Sequence, residues 1–329
     1  MKKKTLKVLA AIMTMIVAFS VTACGTTEEA EAPATEEAAT EEAVPEETQK
    51  FSIAFAAYSD AEPTTVLYKE GMQKCVDDYA AKGIEIEVSS FNAEGDSSKQ
   101  VSGIENMVSK NVEAIVFSPI DSDALAPVVK QAVTAGVKVV TFDQVVNTEV
   151  DASITIDNTV VGKMMGEEAV RILGGEGKVL VVETPPAVIS CRQRSDAAIA
   201  VLEENGMEVV TVLADTPTRD KEMTAIENAL QADQDVKAII GIDTDTSMAG
   251  VLAAEAQGMT DIKVICPDIT DEVRETMREG RCMASVIDTK HSDLGYTATE
   301  AAIKLLLGEA VEDAVLSNFD IVTLENVGE

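Results

Sequence analysis

The sequence predicts an α/β fold made of two doubly wound units with parallel sheets. From Phe51 onward, short runs rich in valine and isoleucine recur, and each is followed by a longer amphipathic stretch. Near-continuous apolar runs are typical of strands covered on both faces, and strand–helix alternation favours right-handed crossovers and parallel pairing. About ten such runs occur in 329 residues, which is enough for two units.

The expected elements follow one another in order along the chain. The strand candidates are 51–57, 84–91, 112–118, 137–142, 153–156, 178–183, 207–213, 236–242, 262–266 and 283–287. The helix candidates are a segment ending at Ala81, then 97–110, 124–135, 160–173, 194–204, 221–232, 247–257, 271–279 and 293–307. Glycines directly before several strands predict helix ends, at Gly83, Gly136, Gly206, Gly258 and Gly280.

The amino terminus reads as a targeting signal. Four lysines at positions 2, 3, 4 and 7 precede an apolar run over 8–18, which is too short to span a membrane. The following Val21-Thr22-Ala23-Cys24 resembles the lipobox of bacterial lipoproteins. We therefore expect residues 1–23 to be a signal peptide and Cys24 to carry the lipid, and an ordinary secretory signal is the alternative.

Residues 24–50 predict a disordered tether behind the lipidated cysteine. They consist almost entirely of glutamate, alanine, threonine and proline, and nine of them are glutamate. Like charges repel and no apolar stripe is available for burial, so we expect a flexible spacer. An acidic tail with its own function is the alternative.

The composition excludes several function classes. The chain has 58 acidic and 26 basic residues, a formal net charge of -32, and it has one histidine. Such a charge repels nucleic acid, and one histidine cannot build a multi-histidine metal centre. Neither GxSxG, HExxH nor GxxxxGK[ST] occurs. We therefore expect no enzyme, no cofactor, no metal and no nucleic-acid partner.

Four cysteines remain beyond Cys24, without any CxxC spacing. Cys266 and Cys282 lie in or beside apolar strand candidates, whereas Cys75 and Cys191 lie elsewhere. A domain of this size needs no disulfide, so free and mostly buried thiols are expected. A Cys266–Cys282 disulfide remains open.

Polar residues follow the strand candidates, where ligands bind in open α/β sheets. They are Tyr58, Ser59, Asp60, Glu62, Asn92, Ser118, Asp143, Gln144, Arg192, Arg194, Asp215, Asp243, Thr244, Asp245, Asp268, Asp288 and Thr289. Helix capping accounts for about half of them. Capping does not explain Arg192 and Arg194, because cations near a helix start oppose its dipole. A ligand or a buried carboxylate explains them better, and this set suits a small molecule with many hydroxyls.

Several segments together resemble the type I periplasmic binding proteins of sugar transporters, the ribose-binding group in particular. They are SPIDSDAL (118–125), VVTFDQ (139–144), IDNTVVG (156–162), RQRSDAA (192–198), DTSMAGVL (245–252) and VIDTKHSDLGY (286–296). The resemblance covers Phe51 to the end of the chain. It implies two Rossmann-like lobes, one of 51–156 plus 290–317 and one of 157–289 plus 318–329. It also implies a three-stranded hinge near 156–157, 288–289 and 317–318.

The resemblance also implies ligand-binding positions. They are Tyr58, Glu62, Thr64, Thr65, Ser118, Asp143, Gln144, Arg194, Pro217, Thr244, Asp268 and Thr289. Asp143, Arg194 and Asp268 keep the family's residue type. The places of the sugar-stacking aromatics hold Thr64, Thr65, Pro217 and Pro267, so that only Tyr58 offers an aromatic face. This favours a smaller or more polar ligand, such as a polyol or a furanosyl signalling molecule, over a common hexose or pentose.

The expected function is therefore that of a lipid-anchored receptor on the outer face of the cell membrane. It would deliver a sugar or related polyhydroxylated ligand to the permease of an ABC transporter, acting as a monomer. A sensor that presents its ligand to a membrane receptor kinase is the first alternative. The effector core of a transcription repressor and an enzyme on a Rossmann scaffold are weaker alternatives.

Overall fold

The computed structural model describes residues 49–60, 62–185, 188–216 and 218–328. The expected signal peptide, Cys24, most of the expected tether and Pro217 lie outside these residues. Within them, no helix combines the length and the apolar character needed to cross a membrane.

Strands and helices alternate along the described chain. The strands are β1 (Gln49–Ala57), β2 (Ile84–Asn92), β3 (Ala114–Phe117), β4 (Lys138–Asp143), β5 (Ala152–Ile156), β6 (Lys178–Glu183), β7 (Glu208–Leu213), β8 (Val236–Gly241), β9 (Lys263–Pro267), β10 (Met283–Asp288), β11 (Ala314–Leu316) and β12 (Asp320–Val322). The helices are α1 (Pro63–Ala80), α2 (Ser97–Ser109), α3 (Ser122–Thr134), α4 (Asn158–Leu173), α5 (Ile189–Glu204), α6 (Arg219–Ala232), α7 (Thr244–Ala256), α8 (Asp271–Arg278) and α9 (His291–Leu306). β1 includes Gln49 and Lys50, which were expected in the tether, because they pair with Ile84 and Glu85 of β2.

Strand pairing divides these elements into two sheets of six strands. The first sheet has the order β11-β5-β4-β3-β1-β2, and all its pairs are parallel. The second has the order β12-β10-β9-β8-β6-β7, with an antiparallel pair only between β10 and β12. We call the first sheet with α1, α2, α3 and α9 the first lobe, and the second sheet with α4 to α8 the second lobe. The prediction of two doubly wound α/β units is confirmed.

Three connections join the lobes, namely β5 to α4, β10 to α9 and β11 to β12. The Asp157 amide donates a hydrogen bond to the Leu316 carbonyl at 2.9 Å, which ties the first connection to the third. Lys290 Nζ lies 2.9 Å from Asp320 Oδ2, which ties the second to the third. The strands β11 and β12 were not among the strand candidates, because runs of three residues are too short to show a periodicity.

Glycine brings the paired helices of each lobe into backbone contact. A Cβ added to Gly71 of α1 would lie 1.8 Å from the Ser292 carbonyl oxygen of α9. In the second lobe, a Cβ added to Gly162 of α4 would lie 2.1 Å from the Arg194 carbonyl oxygen of α5. Only a residue without a side chain fits at these crossings. The Gly162 crossing therefore sets the position of Arg194 relative to α4.

The four described cysteines beyond Cys24 are free thiols, as expected. Cys75, Cys191 and Cys266 are buried, and Cys282 is half-buried. Cys266 pairs in register with Val286, whereas the Cys282 carbonyl accepts from the amide of Val264. This offset between β9 and β10 separates the two sulfurs along the sheet, and the alternative of a Cys266–Cys282 disulfide is not realised.

Replacing Gly162 by alanine should destabilise the second lobe, because the new methyl group meets backbone atoms that cannot move aside. Overpacking of this kind costs about 1–3 kcal/mol. Gly250→Ala is the matched control, since its Cβ would meet only the Ile239 Cγ2 at 3.1 Å and alanine favours a helix. Urea unfolding should give a lower midpoint for Gly162→Ala than for Gly250→Ala. Equal midpoints would contradict the backbone crossing.

Candidate functional site

Two aspartates occupy the same place in the two lobes. Asp143 ends β4 and Asp268 directly follows β9, the fourth strand of its lobe. Their φ angles are +63° and +71°, in the left-handed region that residues other than glycine seldom adopt. Left-handed aspartates at the carboxyl ends of parallel strands turn their side chains out of the sheet, and such strained residues cluster at functional sites.

Arg194 is a buried cation between these aspartates. Its guanidinium donates from Nε to Asn158 Oδ1 at 2.8 Å and from Nη1 to the Ile242 carbonyl at 3.1 Å. Nη1 also lies 3.7 Å from Asp268 Oδ2. Charge effects link it to Asp143 of the first lobe as well. The second lobe therefore presents one guanidinium to carboxylates of both lobes.

The helix that carries Arg194 begins earlier than the sequence predicted. α5 starts at Ile189 rather than at 194, so Arg194 lies in the second turn, where the helix dipole acts weakly. Arg192 is exposed and Arg194 is 6% exposed. Of the two explanations offered for these arginines, the buried carboxylate partner applies to Arg194, and Arg192 points to solvent.

Thr289 and His291 complete the surroundings of Asp268. The Thr289 hydroxyl donates to Asp268 Oδ1 at 2.5 Å, and it lies 2.7 Å from His291 Nδ1. His291 Nδ1 is also 3.4 Å from Asp268 Oδ1. Since Thr289 donates to the carboxylate, its oxygen is left to accept from His291 Nδ1–H. All three side chains are buried, and Thr289 belongs to the connection between β10 and α9.

Asp143 is held by aromatic neighbours. A hydrogen bond from Tyr68 reaches its carboxyl group, and the Tyr68 ring packs on Phe142 at a centroid distance of 4.8 Å and on His291 at 4.9 Å. Burial raises the pKa of Asp143, although His291 and Arg194 act in the opposite direction. The next residue, Gln144, donates from Nε2 to Ser190 Oγ of the second lobe at 3.2 Å. This hydrogen bond joins the lobes directly.

Glu62 brings a further carboxyl group to the same region from the start of α1. Its side chain does not cap the helix. Burial, and then the charges of Asp245, Asp243, Asp268 and Asp143, raise its pKa from 4.5 to about 7. Two of these aspartates belong to the start of α7 in the second lobe. Glu62 therefore adds a second carboxyl group of the first lobe, beside Asp143, to a site in which the second lobe also places carboxylates.

The start of α7 contains one expected site residue and one expected helix cap. Asp243 is the N-cap and forms a capping box with Thr246, whose amide lies 2.7 Å from Asp243 Oδ1. The capping interpretation thus holds for Asp243. Thr244 is 3% exposed, and its hydroxyl has no hydrogen-bond partner among the described residues. Nearby Glu222 of α6 is buried, and its Oε2 is likewise unpartnered in the described chain.

Two further expected site residues, Ser118 and Tyr58, lie at the carboxyl ends of strands of the first sheet. Among the described contacts, neither touches Arg194 or its partners. Ser118 follows β3 and is buried, and its carbonyl accepts from Gln100 Nε2 at 2.9 Å. Tyr58 follows β1 and is 41% exposed. Burial and then Glu62 raise the pKa of its hydroxyl. We call the nine expected positions together the interlobe site: Tyr58, Glu62, Ser118, Asp143, Gln144, Arg194, Thr244, Asp268 and Thr289.

Sequence reasoning did not select three residues that hold this site together. Asn158 orients Arg194, Tyr68 holds Asp143, and His291 supports Thr289. Asn158 and His291 lie within the segments IDNTVVG and VIDTKHSDLGY. Those segments carried the family resemblance, but nothing in them indicated what these two side chains contact. Tyr68 had no signal in the sequence, since it reads as an ordinary apolar position of α1. No group of three or more metal-ligating side chains is arranged around a common point in the described ranges.

The raised pKa values of Glu62 and Glu222 predict a pH dependence of stability. Burial is the main reason that the pKa values of Glu62 and Glu222 are raised from 4.5 to about 7. Between these values the folded state binds more protons than the unfolded state, so the free energy of unfolding should fall as the pH rises through this window. Thermal unfolding of the ligand-free protein should show a smaller decrease between about pH 5 and about pH 8 for Glu62→Gln/Glu222→Gln than for wild type. Glu70→Gln, an exposed position of α1, is the control, and an unchanged slope in the double variant would contradict these assignments.

Comparison with known proteins points to one family. A family model described as "Periplasmic binding protein domain" matches residues 53–310. The ribose import binding protein RbsB of Bacillus subtilis is 28% identical over 276 residues, which cover 84% of this chain and 88% of that protein.

Solved structures share the fold. A periplasmic solute-binding protein from Actinobacillus succinogenes with bound D-allose has a TM-score of 0.77 and 20% identity, covering 84% of this chain and 99% of the other. A solute-binding protein from Bacillus halodurans with bound myo-inositol has a TM-score of 0.73 and 24% identity, covering 85% and 97%. The two six-stranded sheets described above agree with this likeness, and the expected fold of two lobes joined by a three-stranded hinge is confirmed. The chain belongs to the periplasmic binding protein family and has its type I fold.

Proposed function

We propose that this chain is an extracytoplasmic solute-binding lipoprotein of an ABC transporter, and that it binds a sugar or a related small polyhydroxylated molecule at the interlobe site. The observation that carries the proposal is the position of Arg194. This buried guanidinium of the second lobe interacts with Asp268 of its own lobe and with Asp143 of the other. Separation of the lobes would remove Asp143 from this guanidinium, so the site would be complete only when the lobes are together.

The side chains suit hydroxyl recognition. Asp143 and Asp268 can each accept from adjacent hydroxyl groups, and Arg194 can donate to a ring or hydroxyl oxygen. Gln144, Thr244, Thr289 and Ser118 add neutral groups that donate and accept. Charged hydrogen bonds contribute about 1.5–3 kcal/mol each and neutral ones about 0.5–1.5 kcal/mol. Several of them give useful affinity without any covalent step.

Closure of the lobes would couple binding to transport. The proposed lobes are 51–156 plus 290–317 and 157–289 plus 318–329, which meet at the three connections. Thr289 lies in one of these connections and also donates to Asp268. A ligand that engages Asp268 therefore acts next to the hinge, and it shifts the open–closed equilibrium by its greater affinity for the closed form.

The relatives support this assignment at a coarser level. The Bacillus subtilis relative is named for ribose import, and the two structural neighbours were solved as ABC transporter solute-binding proteins with D-allose and myo-inositol. These names describe binding proteins that act outside the cytoplasm, not enzymes. They support a carbohydrate-like ligand and a permease as the partner.

The interlobe site favours a compact, polar ligand. Thr65 is buried, Thr64 is half-buried and Pro267 is part of β9, so none of them offers an aromatic face. The Tyr58 ring is the aromatic side chain among the nine site positions. Without a second ring to cover an apolar sugar face, hydrogen bonds and charge carry the recognition.

Loss of either buried charge should abolish binding. A thermal-shift screen against D-ribose, D-allose and myo-inositol identifies a binder, since ligand at about 100 times Kd stabilises by about 2.7 kcal/mol. Calorimetry should then show that Arg194→Ala and Asp268→Ala weaken binding by about 100-fold or more, because each change leaves an unpaired buried charge, at about 2–5 kcal/mol.

Arg192→Ala is the matched control on the same helix, and its affinity should equal that of the wild type. Circular dichroism should show that the variants remain folded, and Asp268→Asn keeps the shape of the side chain if Asp268→Ala does not fold. Wild-type affinity in folded Arg194 and Asp268 variants would remove this site assignment.

The proposed anchor can be tested separately. If Cys24 carries lipid, the full-length chain expressed in a bacterial host should partition into the detergent phase of Triton X-114, and Cys24→Ser should move to the aqueous phase. Cys282→Ser is the control and should stay in the detergent phase. A wild-type chain found in the aqueous phase would contradict lipidation and leave the ligand-binding proposal unaffected.

A further inference from the structure

The interlobe site contains more negative than positive charge. Glu62 of the first lobe is surrounded by Asp143 and by Asp243, Asp245 and Asp268 of the second, and the charges that act most strongly on it are all carboxylates. The nearby cations are already engaged. Arg194 pairs with Asp268, and Arg219 lies 2.6 Å from both Asp245 Oδ1 and Glu272 Oε1.

A second observation points to a missing polar partner at the same place. Thr244 stands between Asp243 and Asp245 in sequence, is 3% exposed, and has a hydroxyl oxygen without a partner in the described residues. Glu222 is 2% exposed and interacts with Asp243 and Asp245, and its Oε2 also lacks a described partner. Buried polar atoms are seldom left unsatisfied, since each costs about 1–3 kcal/mol. A donor-rich ligand group would satisfy both.

The arrangement opposes closure on a neutral ligand. When the lobes approach, Glu62 moves toward the carboxylates at the start of α7, and like charges repel more strongly as water leaves. A neutral ligand leaves this repulsion in place, so Glu62 must take up a proton. A cationic ligand removes the repulsion, because it is attracted to both lobes.

We propose, on the basis of the function proposed above, that the ligand is an amino-substituted polyol or sugar, and that its protonated amine lies between Glu62 and the Asp243–Asp245 segment. Its hydroxyl groups face Asp143, Asp268 and Arg194. An ammonium group donates three hydrogen bonds, which matches a carboxylate-rich segment that includes the unpartnered Thr244 hydroxyl. Carboxylates from both lobes then hold one cation, and closure follows from their shared attraction to it.

Matched pairs of ligands test the inference with the complete protein. The pairs are serinol with glycerol, D-glucosamine with D-glucose, and scyllo-inosamine with scyllo-inositol, each differing in one amine for one hydroxyl. Calorimetry should give at least one amine that binds about 10- to 100-fold more tightly than its hydroxyl partner. Glu62→Gln should remove this preference, and Glu62→Asp should restore part of it. Glu70→Gln removes the same charge from an exposed part of α1 and should leave the preference intact.

The number of protons released when the ligand binds provides an independent test. The titratable and charged groups around Glu62 are Tyr58, Tyr68, Asp143, Arg194, Asp243, Asp245 and Asp268. A bound ammonium lowers the pKa of Glu62, so binding near pH 7 should release more protons in wild type than in Glu62→Gln, which keeps Glu222 with its raised pKa. Calorimetry in phosphate and in MOPS, which differ in ionisation enthalpy and are not amino polyols, measures this release.

The outcomes separate this inference from the function on which it rests. Tighter binding of an amine, lost in Glu62→Gln and accompanied by proton release, supports it. Equal or tighter binding of the hydroxyl partners, or proton uptake, overturns it and leaves the binding function standing. Binding of Ca²⁺ alone at Glu62 would also overturn it, because the acidic excess would then belong to a metal. Binding of none of the three amines overturns it, whereas the binding function is then decided by the screen with D-ribose, D-allose and myo-inositol.

Discussion

The geometry of the site depends on the burial of one cation, the guanidinium of Arg194. Arg194 is 6% exposed, and removing a guanidinium from water costs several kcal/mol unless charges and hydrogen bonds replace the hydration. Asn158, the Ile242 carbonyl and Asp268 supply these partners, and each comes from a different element of the second lobe. The α4–α5 crossing at Gly162 brings the helix backbones close enough for Asn158 to reach the guanidinium. The requirement to compensate one charge thereby links helix packing to the geometry of the site.

The two lobes carry an aspartate in the same backbone conformation at equivalent positions. Asp143 and Asp268 follow the fourth strand of their lobes in the left-handed conformation, and aspartate tolerates this conformation better than most residues. The surroundings of the two differ. Asp268 is hydrogen-bonded by a hinge threonine and paired with Arg194, whereas Asp143 is held by Tyr68 and has a raised pKa. The same backbone turn thus presents two carboxyl groups with different hydrogen-bond partners to one region between the lobes.

Burial and like charge around two glutamates of the site lower the stability of the folded protein near neutral pH. Burial, and then the carboxylates around Glu62 and Glu222, raise both pKa values to about 7, so ionisation of these groups near neutral pH opposes the folded state. A ligand that relieves this repulsion would stabilise the arrangement in which these carboxylates are close together. The apolar clusters extend from both sheets to the site, since the largest of them includes Tyr68 and Ile242.

Local pattern was sufficient for most of the fold. Runs such as 178–183 and 236–242 identify central strands because both faces are buried, and glycines such as Gly83 and Gly136 mark helix ends because they adopt positive φ. The same pattern failed for β11 and β12, which are three residues long, and it placed the start of α5 five residues late because Val188 offers no side-chain cap. Short elements and uncapped helix starts leave too little periodicity to detect.

The sequence by itself determined the two-unit architecture, the acidic charge and the strand-end positions of Asp143 and Asp268, since each depends on local spacing or composition. Only the tertiary structure decided which polar residues meet. Tyr68, Asn158 and His291 reach the site from helices distant in sequence, Arg192 turns to solvent while Arg194 is buried, and Glu62 faces Asp243 and Asp245 from the opposite lobe. The physical reason is that charge compensation and burial depend on distances in space, which the packing of helices and the three interlobe connections set and which no local pattern records.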